Sequence, residues 1–281
     1  MNITAKTKIC MVIGDPIEHS LSPQMHNRGF EGLSIENEYV FVACNVKVEN
    51  IADFMKGVKA MNIRGVSCTI PHKMEVLEYL DKIDNTAKAI GAVNTIVNNN
   101  GVLKGYNTDW LGAIIPLEKI TTLTSKKVAL LGAGGAARAI AFGLMKKGAH
   151  VTIFNRTLDK AKALAKEFGC KAASLREIDT IKNMDIIINA TSVGLHPSVD
   201  ETPFDKKFIT SKHIVFDIIY APFETRLLRD AKQQGATIIH GMEMLLEQAV
   251  AQFKLYTGME APRETMRDVL LENLRMQEEE K

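Results

Sequence analysis

Disulfides, metal clusters, one-sided charge and membrane-length apolar runs are all missing from this chain of 281 residues. It has four cysteines. Cys10, Cys44, Cys68 and Cys170 stand far apart, form no CxxC pair and have no histidine at zinc-ligand spacing. The spacing therefore gives little support to a disulfide framework or a metal site, and reduced, buried thiols are the expectation. The formal net charge is +2, too small a field to hold a polyanion, so no nucleic acid is expected as a partner. The most apolar long region, Val128 to Met145, is interrupted by Arg138 and by glycines and cannot be a membrane span. Near the N-terminus the apolar run Ile9 to Ile13 stops at Gly14-Asp15-Pro16, too short for a signal-peptide core, so a cytoplasmic protein is expected.

What remains is an ordinary globular composition, 46% hydrophobic and 24% charged, in a chain whose length suits roughly two domains. Short β-branched runs alternate with segments of helical period, which is the pattern of βα units and a mostly parallel sheet. A first series has strands near Lys8–Ile13, Tyr39–Cys44, Ile63–Thr69 and Val93–Val97, with helices opening at Ser22-Pro23, after Val48 and after Pro71. A polar stretch over Leu117–Lys127 precedes a second series, with strands at Val128–Leu131, Val151–Phe154, Asp185–Asn189, Ile214–Asp217 and Thr237–Ile239. After His240-Gly241 only two amphipathic helices follow, Met244–Tyr256 and Glu264–Met276; periodicity leaves open which sheet they cover. The closing Glu278–Lys281 reads as a solvated tail.

The first chemical signal is Gly132-Ala133-Gly134-Gly135-Ala136-Ala137, directly after a buried strand and directly before a helix. This is the G-x-G-x-x-G/A pattern of a Rossmann dinucleotide site. Gly132 permits the tight turn, Gly134 lets backbone approach a pyrophosphate, and Ala137 allows close helix–strand packing. About twenty residues on, an NAD enzyme carries an acid for the ribose 2′-hydroxyl. Here Asn155-Arg156-Thr157 and Lys160 stand instead, a basic pocket suited to a 2′-phosphate, so NADP is the expected cofactor. Thr157 also suits a helix N-cap. Asn189-Ala-Thr191-Ser-Val-Gly194 follows a strand end, which makes Thr191 and Gly194 expected neighbours of the dinucleotide.

Polar clusters end strands or open helices in the first series: Ser20-Leu-Ser22-Pro23, Ser67-Cys-Thr69-Ile-Pro71-His-Lys73, Asn94, and Asn107-Thr-Asp109. Singly each has a bland explanation; Ser22-Pro23, for instance, starts a helix with Ser at the N-cap and Pro at N1. As a set, these groups suit a small, anionic, polyhydroxylated molecule. A ketone reduced beside them becomes an alkoxide that an ammonium such as that of Lys73 protonates, and the reverse oxidation uses the same group as base.

Together the motifs resemble the shikimate dehydrogenase family along nearly the whole chain. Those that carry the likeness are Gly14-Asp-Pro16 with His19-Ser-Leu-Ser-Pro-Gln-Met-His26, Thr69-Ile-Pro-His-Lys73, Gly91-Ala-Val-Asn94 and Gly105-Tyr-Asn-Thr-Asp109. Further along come the glycine loop, Asn155-Arg-Thr157, Asn189 to Gly194, Asp217-Ile-Ile-Tyr-Ala-Pro222 and Gly241-Met-Glu-Met-Leu-Leu-Glu-Gln248. The resemblance implies an NADP-dependent, reversible reduction of 3-dehydroshikimate to shikimate on the route to chorismate and the aromatic amino acids. It implies that Ser20 and Ser22 hold the substrate carboxylate with help from Tyr220. Thr69, Lys73, Asn94, Asp109 and Gln248 hold its hydroxyls, and Lys73 paired with Asp109 transfers the proton. The cofactor set it implies is Gly132, Ala133, Gly134, Gly135, Ala136, Asn155, Arg156, Thr157, Lys160, Thr191 and Gly241, with no metal. The implied architecture is a discontinuous α/β substrate domain, residues 1–108 plus 243–281, and a Rossmann NADP domain, residues 109–242, with the C-terminal helices returning to the first and a cleft between the sheets. Ser67-Cys-Thr69 departs from the Asn-Val-Thr of many bacterial members toward the plant bifunctional form, and His240 replaces a usual Asn and is expected to be a structural hydrogen-bonder. The alternatives are a quinate/shikimate dehydrogenase of broader range and a non-catalytic shikimate/quinate sensor. A homodimer is the assembly considered, with no residue that selects it.

Overall fold

A computed structural model describes residues 2–279, with side chains through Met276. The strands are β1 (Lys8–Gly14), β2 (Tyr39–Asn45), β3 (Gly65–Cys68), β4 (Lys82–Ile83), β5 (Thr95–Asn99), β6 (Val102–Tyr106), β7 (Lys127–Leu131), β8 (His150–Asn155), β9 (Lys171–Ser174), β10 (Ile186–Asn189), β11 (Ile214–Asp217) and β12 (Thr237–Ile239). The helices are α1 (Ser22–Gly32), α2 (Ile51–Ala60), α3 (His72–Glu75), α4 (Asn85–Ile90), α5 (Asp109–Glu118), α6 (Gly135–Lys146), α7 (Leu158–Phe168), α8 (Arg226–Gln233), α9 (Gly241–Thr257) and α10 (Arg263–Glu279). The chain forms two compact units: the chain up to Thr108 with Gln248–Asn273, and Asp109–Glu247 with the end of α10 from Leu274. The division falls at Thr108, not in the polar stretch after Leu117. The reason is that α5 packs on α6 so closely that a Cβ at Gly143 would lie 2.6 Å from Ile114 Cγ1.

In the first unit six strands lie in the order β2-β1-β3-β5-β6-β4. Within this mostly parallel sheet β5 is the exception, running antiparallel to both β3 and β6. A two-residue hairpin at Asn100-Gly101, with φ of 53° and 87°, turns β5 into β6. Asn-Gly is the preferred dipeptide for a turn with both central φ positive, so the signal was present in the sequence. The short strands β4 and β6 were not anticipated, nor was β9 in the second unit. One face of the first sheet is covered by α2 and its neighbours, with Val58, Val66, Val93, Ile96 and Leu103 at the centre. On the other, Tyr256 of α9 lies flat on β3, where a Cβ at Gly65 would fall 2.4 Å from Tyr256 Cδ1. Phe253 stacks near Phe30 of α1 at 5.2 Å, and Gly29 lets Met266 of α10 approach. Arg64 secures the end of α9 by donating to the carbonyls of Tyr256 (2.8 Å) and Leu255 (3.4 Å), a cation on free C-terminal acceptors. The question left open by periodicity is thereby answered: α9 from Gln248 and most of α10 pack on the first sheet.

The second unit is an all-parallel sheet in the order β12-β11-β10-β7-β8-β9. This is the doubly-wound order of dinucleotide-binding folds, and its connections reverse between β7 and β10. Its strands are buried on both faces, by α5, α6 and α7 around Val128, Leu130, Ile153 and Ile188, and by α8 and the β9–β10 connection around Leu131, Ile187 and Val215. The single tryptophan, Trp110 of α5, meets Phe142 edge-on at 6.0 Å with the Lys146 ammonium 4.7 Å over its ring.

None of the four cysteines is in a disulfide; Cys10 and Cys68 are buried and Cys44 and Cys170 half-buried. Burial pushes the Cys10 thiol up to about 12. Among the described residues no helix is long and apolar enough to cross a membrane, and no group of His, Cys, Asp and Glu could hold a metal ion. The backbone of α10 runs through Glu279, so Glu278 and Glu279 are helical; the remainder of the expected tail, Glu280 and Lys281, lies outside the described residues.

His26 of α1 is fully buried, stacked 4.3 Å from Phe41, and neither ring nitrogen reaches a hydrogen-bond partner. Burial lowers its pKa from 6.5 to about 3, against a smaller opposite pull from nearby Gln252. Because the unfolded ring takes up a proton that the folded ring refuses, this group's stability is present above pH 6.5 and lost as pH falls toward 3. His26→Leu should therefore gain about 1.4 kcal/mol relative to the parent between about pH 7.5 and about 5.5, read by urea denaturation. Parallel pH profiles for the two proteins would mean that the folded ring is protonated.

Candidate active site

In the second unit the glycine loop joins β7 to α6 at the point where the strand order reverses. Gly132 has a φ of 109°, and a Cβ there would lie 2.7 Å from the carbonyl oxygen of Ala190, so this glycine is required by the protein's own backbone. Gly134 differs. Its backbone is extended and a Cβ would meet no protein atom within 4 Å. It is the N-cap of α6 with no capping side chain, which leaves the helix amides open to an anion. Ala137 is fully buried in the core behind the loop.

Beside this loop lies a cavity of about 210 Å³ lined by Ala133, Gly134, Asn155, Arg156, Thr157 and Lys160. The lining holds two cations and no carboxylate, which matches the chemistry of a phosphorylated ribose. Asn155 Nδ2 donates to Thr157 O at 2.9 Å and shapes the turn. Thr157 occupies the N-cap of α7 by backbone geometry, yet its hydroxyl makes no capping bond. Arg138, next in the motif after Ala137, is ion-paired to Glu167 and packs over Phe168, so it ties α6 to α7 rather than lining this cavity. Gly135 and Ala136 form the first turn of α6. Thr191 is held by Asn189 Oδ1, which accepts from its hydroxyl at 2.6 Å and its amide at 3.1 Å. Gly241 has an internal reason to be glycine, since a Cβ would lie 2.3 Å from Ile219 O. His240 Nδ1 is 3.1 Å from Phe223 O with the rings stacked at 4.4 Å.

In the first unit the polar set gathers at the ends of β1 and β3 and the start of β5. Ser22 is the first residue of α1, not its N-cap. Leu21 takes the cap without a side-chain bond, and Ser20 Oγ accepts from Ser22 N at 3.4 Å. The capping explanation for Ser22 therefore fails, and its buried hydroxyl is not spent on the helix. Thr69 reaches over Gly14, where a Cβ would lie 2.6 Å from Thr69 Cγ2, and its amide donates to Ile13 O at 3.0 Å. Lys73 sits half-buried on α3. That helix is held by His72, whose ring nitrogen lies 2.6 Å from Val46 O, and by Val93 N donating to Lys73 O at 2.8 Å.

Asn94 is the hub of this set. Buried to 2% exposure, its Oδ1 accepts from Thr108 N and from Thr95 Oγ1, both at 2.8 Å. Its Nδ2 donates to Thr108 Oγ1 at 2.9 Å and to Gln248 Oε1 at 3.5 Å. Gln248, far away in sequence, is thus placed beside Asn94 in the same unit. Asp109, buried at the start of α5, and Tyr220, half-buried after β11, belong to the second unit. Sequence reasoning singled out Thr108 only as a member of the Asn107-Thr-Asp109 cluster and missed Thr95 and Gln252 as parts of this network. Gln252, one helical turn beyond Gln248, donates to Thr95 Oγ1 at 3.0 Å, and Ser67 Oγ reaches Gln252 Oε1 at 3.0 Å and Tyr256 OH at 2.8 Å. The available signal was the i, i+4 pair of glutamines on a helix otherwise apolar toward the sheet.

With this geometry in view, similarity to known proteins decides the family. Residues 12–96 match the family model of the shikimate dehydrogenase substrate binding domain, 116–219 that of shikimate / quinate 5-dehydrogenase, and 241–271 that of the shikimate 5'-dehydrogenase C-terminal domain. The chain belongs to the shikimate dehydrogenase family. It is 43% identical over 283 residues to the NADP(+) shikimate dehydrogenase of Methanosphaera stadtmanae, covering 97% of this chain and 99% of that one. A solved shikimate dehydrogenase in complex with NADP+ superposes with a TM-score of 0.92 at 43% identity, over 97% of this chain and 98% of that one. The Thermus thermophilus enzyme, solved with NADP(H) and shikimate, superposes at 0.88 with 35% identity, over 95% and 99%.

The two glycines give a paired prediction for this shikimate dehydrogenase family member. Gly134→Thr should fold as stably as the parent, since Thr is a good N-cap, but its side chain fills the open space and the Michaelis constant for NADP should rise at least about tenfold. Gly132→Ala should lose about 2 kcal/mol or more of stability from its left-handed φ and the clash with Ala190. Thermal melts and cofactor titrations of both variants check this; a destabilised Gly134→Thr would refute the view that its open space is kept for a ligand.

Proposed function

We propose that this protein is an NADP-dependent shikimate dehydrogenase that interconverts 3-dehydroshikimate and shikimate on the route to the aromatic amino acids. The observation that carries the reading is the cation-lined, carboxylate-free cavity beside the glycine loop, in a chain that matches NADP(+) shikimate dehydrogenases over nearly its full length.

Gly132 to Ala136, Asn155, Arg156, Thr157, Lys160, Thr191 and Gly241 hold the dinucleotide, whose nicotinamide, when bound, exchanges a hydride with the substrate carbon. Arg156 and Lys160 neutralise the 2′-phosphate, and Thr157 offers it a hydroxyl. The α6 amides left uncapped by Gly134 face the pyrophosphate. Ser20 and Ser22 bind the substrate carboxylate together with Tyr220, and Thr69, Asn94, Asp109 and Gln248 take its hydroxyls. Lys73 delivers a proton to the oxygen of the reduced carbonyl and removes it in the reverse direction, with Asp109 as the counter-charge that orients the ammonium. The substrate domain is discontinuous, residues 1–108 plus 243–281 around the NADP domain of residues 109–242. Four cysteines with no disulfide among them fit the reducing cytoplasm as its compartment.

Ser67 favours a second reading, a broader enzyme that also takes quinate. Its hydroxyl is bound within the core to Gln252 and Tyr256, where many relatives carry the longer Asn.

Absorbance at the reduced-nicotinamide band, with shikimate or quinate and NADP or NAD in four mixtures, separates these readings. Shikimate with NADP should dominate. Dominance of quinate would select the broader enzyme, and NAD would refute the 2′-phosphate pocket. Lys73→Ala should lower turnover by about 10²–10⁴-fold with substrate binding weakened less. Arg156→Ala should raise the Michaelis constant for NADP and leave that for NAD nearly unchanged, because only NADP carries the 2′-phosphate.

A further inference from the structure

Asn189 and Asp217 end the neighbouring parallel strands β10 and β11, and both side chains are fully buried. Asp217 accepts from donors on three separate segments. Oδ1 takes Asn189 Nδ2 at 3.1 Å and Ile219 N at 3.1 Å, while Oδ2 takes Thr225 Oγ1 at 2.7 Å. The first bond fixes the Asn189 amide with its oxygen toward Thr191, whose hydroxyl in turn accepts from Val193 N at 3.2 Å. The second sets the peptide that leads into Tyr220 and against which Gly241 is packed. The third holds the N-cap of α8, where Thr225 Oγ1 also accepts from Leu228 N at 3.3 Å.

We propose that Asp217 is a positioning residue of the reaction: its carboxylate places the Thr191 loop and the approach to Tyr220, and through them governs cofactor and substrate binding without touching either ligand. The inference rests on the reading of Thr191 as a cofactor residue and Tyr220 as a substrate residue.

Stability alone does not account for an acid here. Burial, partly offset by the bonds from Thr225, Ile219 and Asn189, raises its pKa from 3.8 to about 6. A carboxyl group whose folded pKa is raised contributes stability below its unfolded value and loses it as pH rises through the folded one. At neutral pH, then, the ionised Asp217 costs stability, and a neutral side chain would hold a strand end at lower cost. What the carboxylate adds is acceptor capacity for three donors, two of which, Asn189 and Ile219, belong to segments that lead to the proposed ligand contacts, while the third, Thr225, caps α8.

The test uses the full-length enzyme. Asp217→Ala should raise the Michaelis constants for NADP and shikimate at least about fivefold, with turnover changed less. Asp217→Asn, whose amide oxygen still accepts from Ile219 and Asn189, should restore both to within about twofold of the parent. Thr225→Val should lower the unfolding temperature and leave both constants unchanged. Parental constants in a destabilised Asp217→Ala, or an Asn variant no better than Ala, would overturn the proposal. Should Asp217→Ala fail to fold, Asn189→Ala cuts the link to Thr191 and should raise the NADP constant alone; an unchanged constant there overturns it equally. Tyr220→Phe and Thr191→Val test the underlying reading separately: parental constants in those two would refute the residue roles whatever Asp217 does.

Discussion

A buried amide at a strand terminus, just before β5 in one unit and at the end of β10 in the other, is the device on which each half of this molecule depends. In the first unit, Asn94 binds the chain at Thr108, its neighbour Thr95 and, across a long sequence gap, Gln248 of α9. In the second, Asn189 binds Thr191 and Asp217. A neutral amide is suited to this because it donates and accepts at once, so a single side chain satisfies backbone and side-chain partners on both sides without itself carrying a charge. Chain beyond a strand terminus has no ladder to hold it, and these amides supply the hydrogen bonds that the ladder does not.

The glycine loop shows the same economy in a different form. Gly132 and Gly134 are two residues apart and look equivalent as letters, but one is demanded by contact with Ala190 and the other by nothing in the protein. Their difference separates what the fold requires of itself from what it leaves open to a ligand. Arg138 illustrates the converse: a cation inside the motif that belongs to the α6–α7 packing through Glu167 and Phe168.

Much of this was legible in the residues. Buried strands of the second unit read as unbroken apolar runs, and the strand–glycine loop–helix order marked the candidate cofactor site. The polar clusters of the first unit were visible as residues a simple core does not need. Three kinds of feature were not. The two-residue edge strand β4 is too short for periodicity, and β6 is interrupted by Lys104 and Gly105, although Asn100-Gly101 marked the turn. Periodicity alone did not assign helix α9 to a sheet, because an amphipathic face does not say which partner it meets; the family resemblance placed it on the first sheet, and Gly65 lying under Tyr256 is the contact that seats it there. Ser67 and Gln252 are joined across a separation of 185 residues, and no local pattern encodes such a pair. The N-cap reading of Ser22 failed by one residue, and that single step frees a buried hydroxyl which the capping role would have consumed.

The placement of Trp110 gives the molecule an optical handle. As the only indole in the sequence, set edge-on to Phe142 beneath the Lys146 ammonium, it makes emission above the tyrosine band a report on α5 and α6 alone. Unfolding around α5 and α6 can thus be followed in an unlabelled sample apart from the tyrosines, of which Tyr39, Tyr79, Tyr106 and Tyr256 lie in the first unit and Tyr220 in the second.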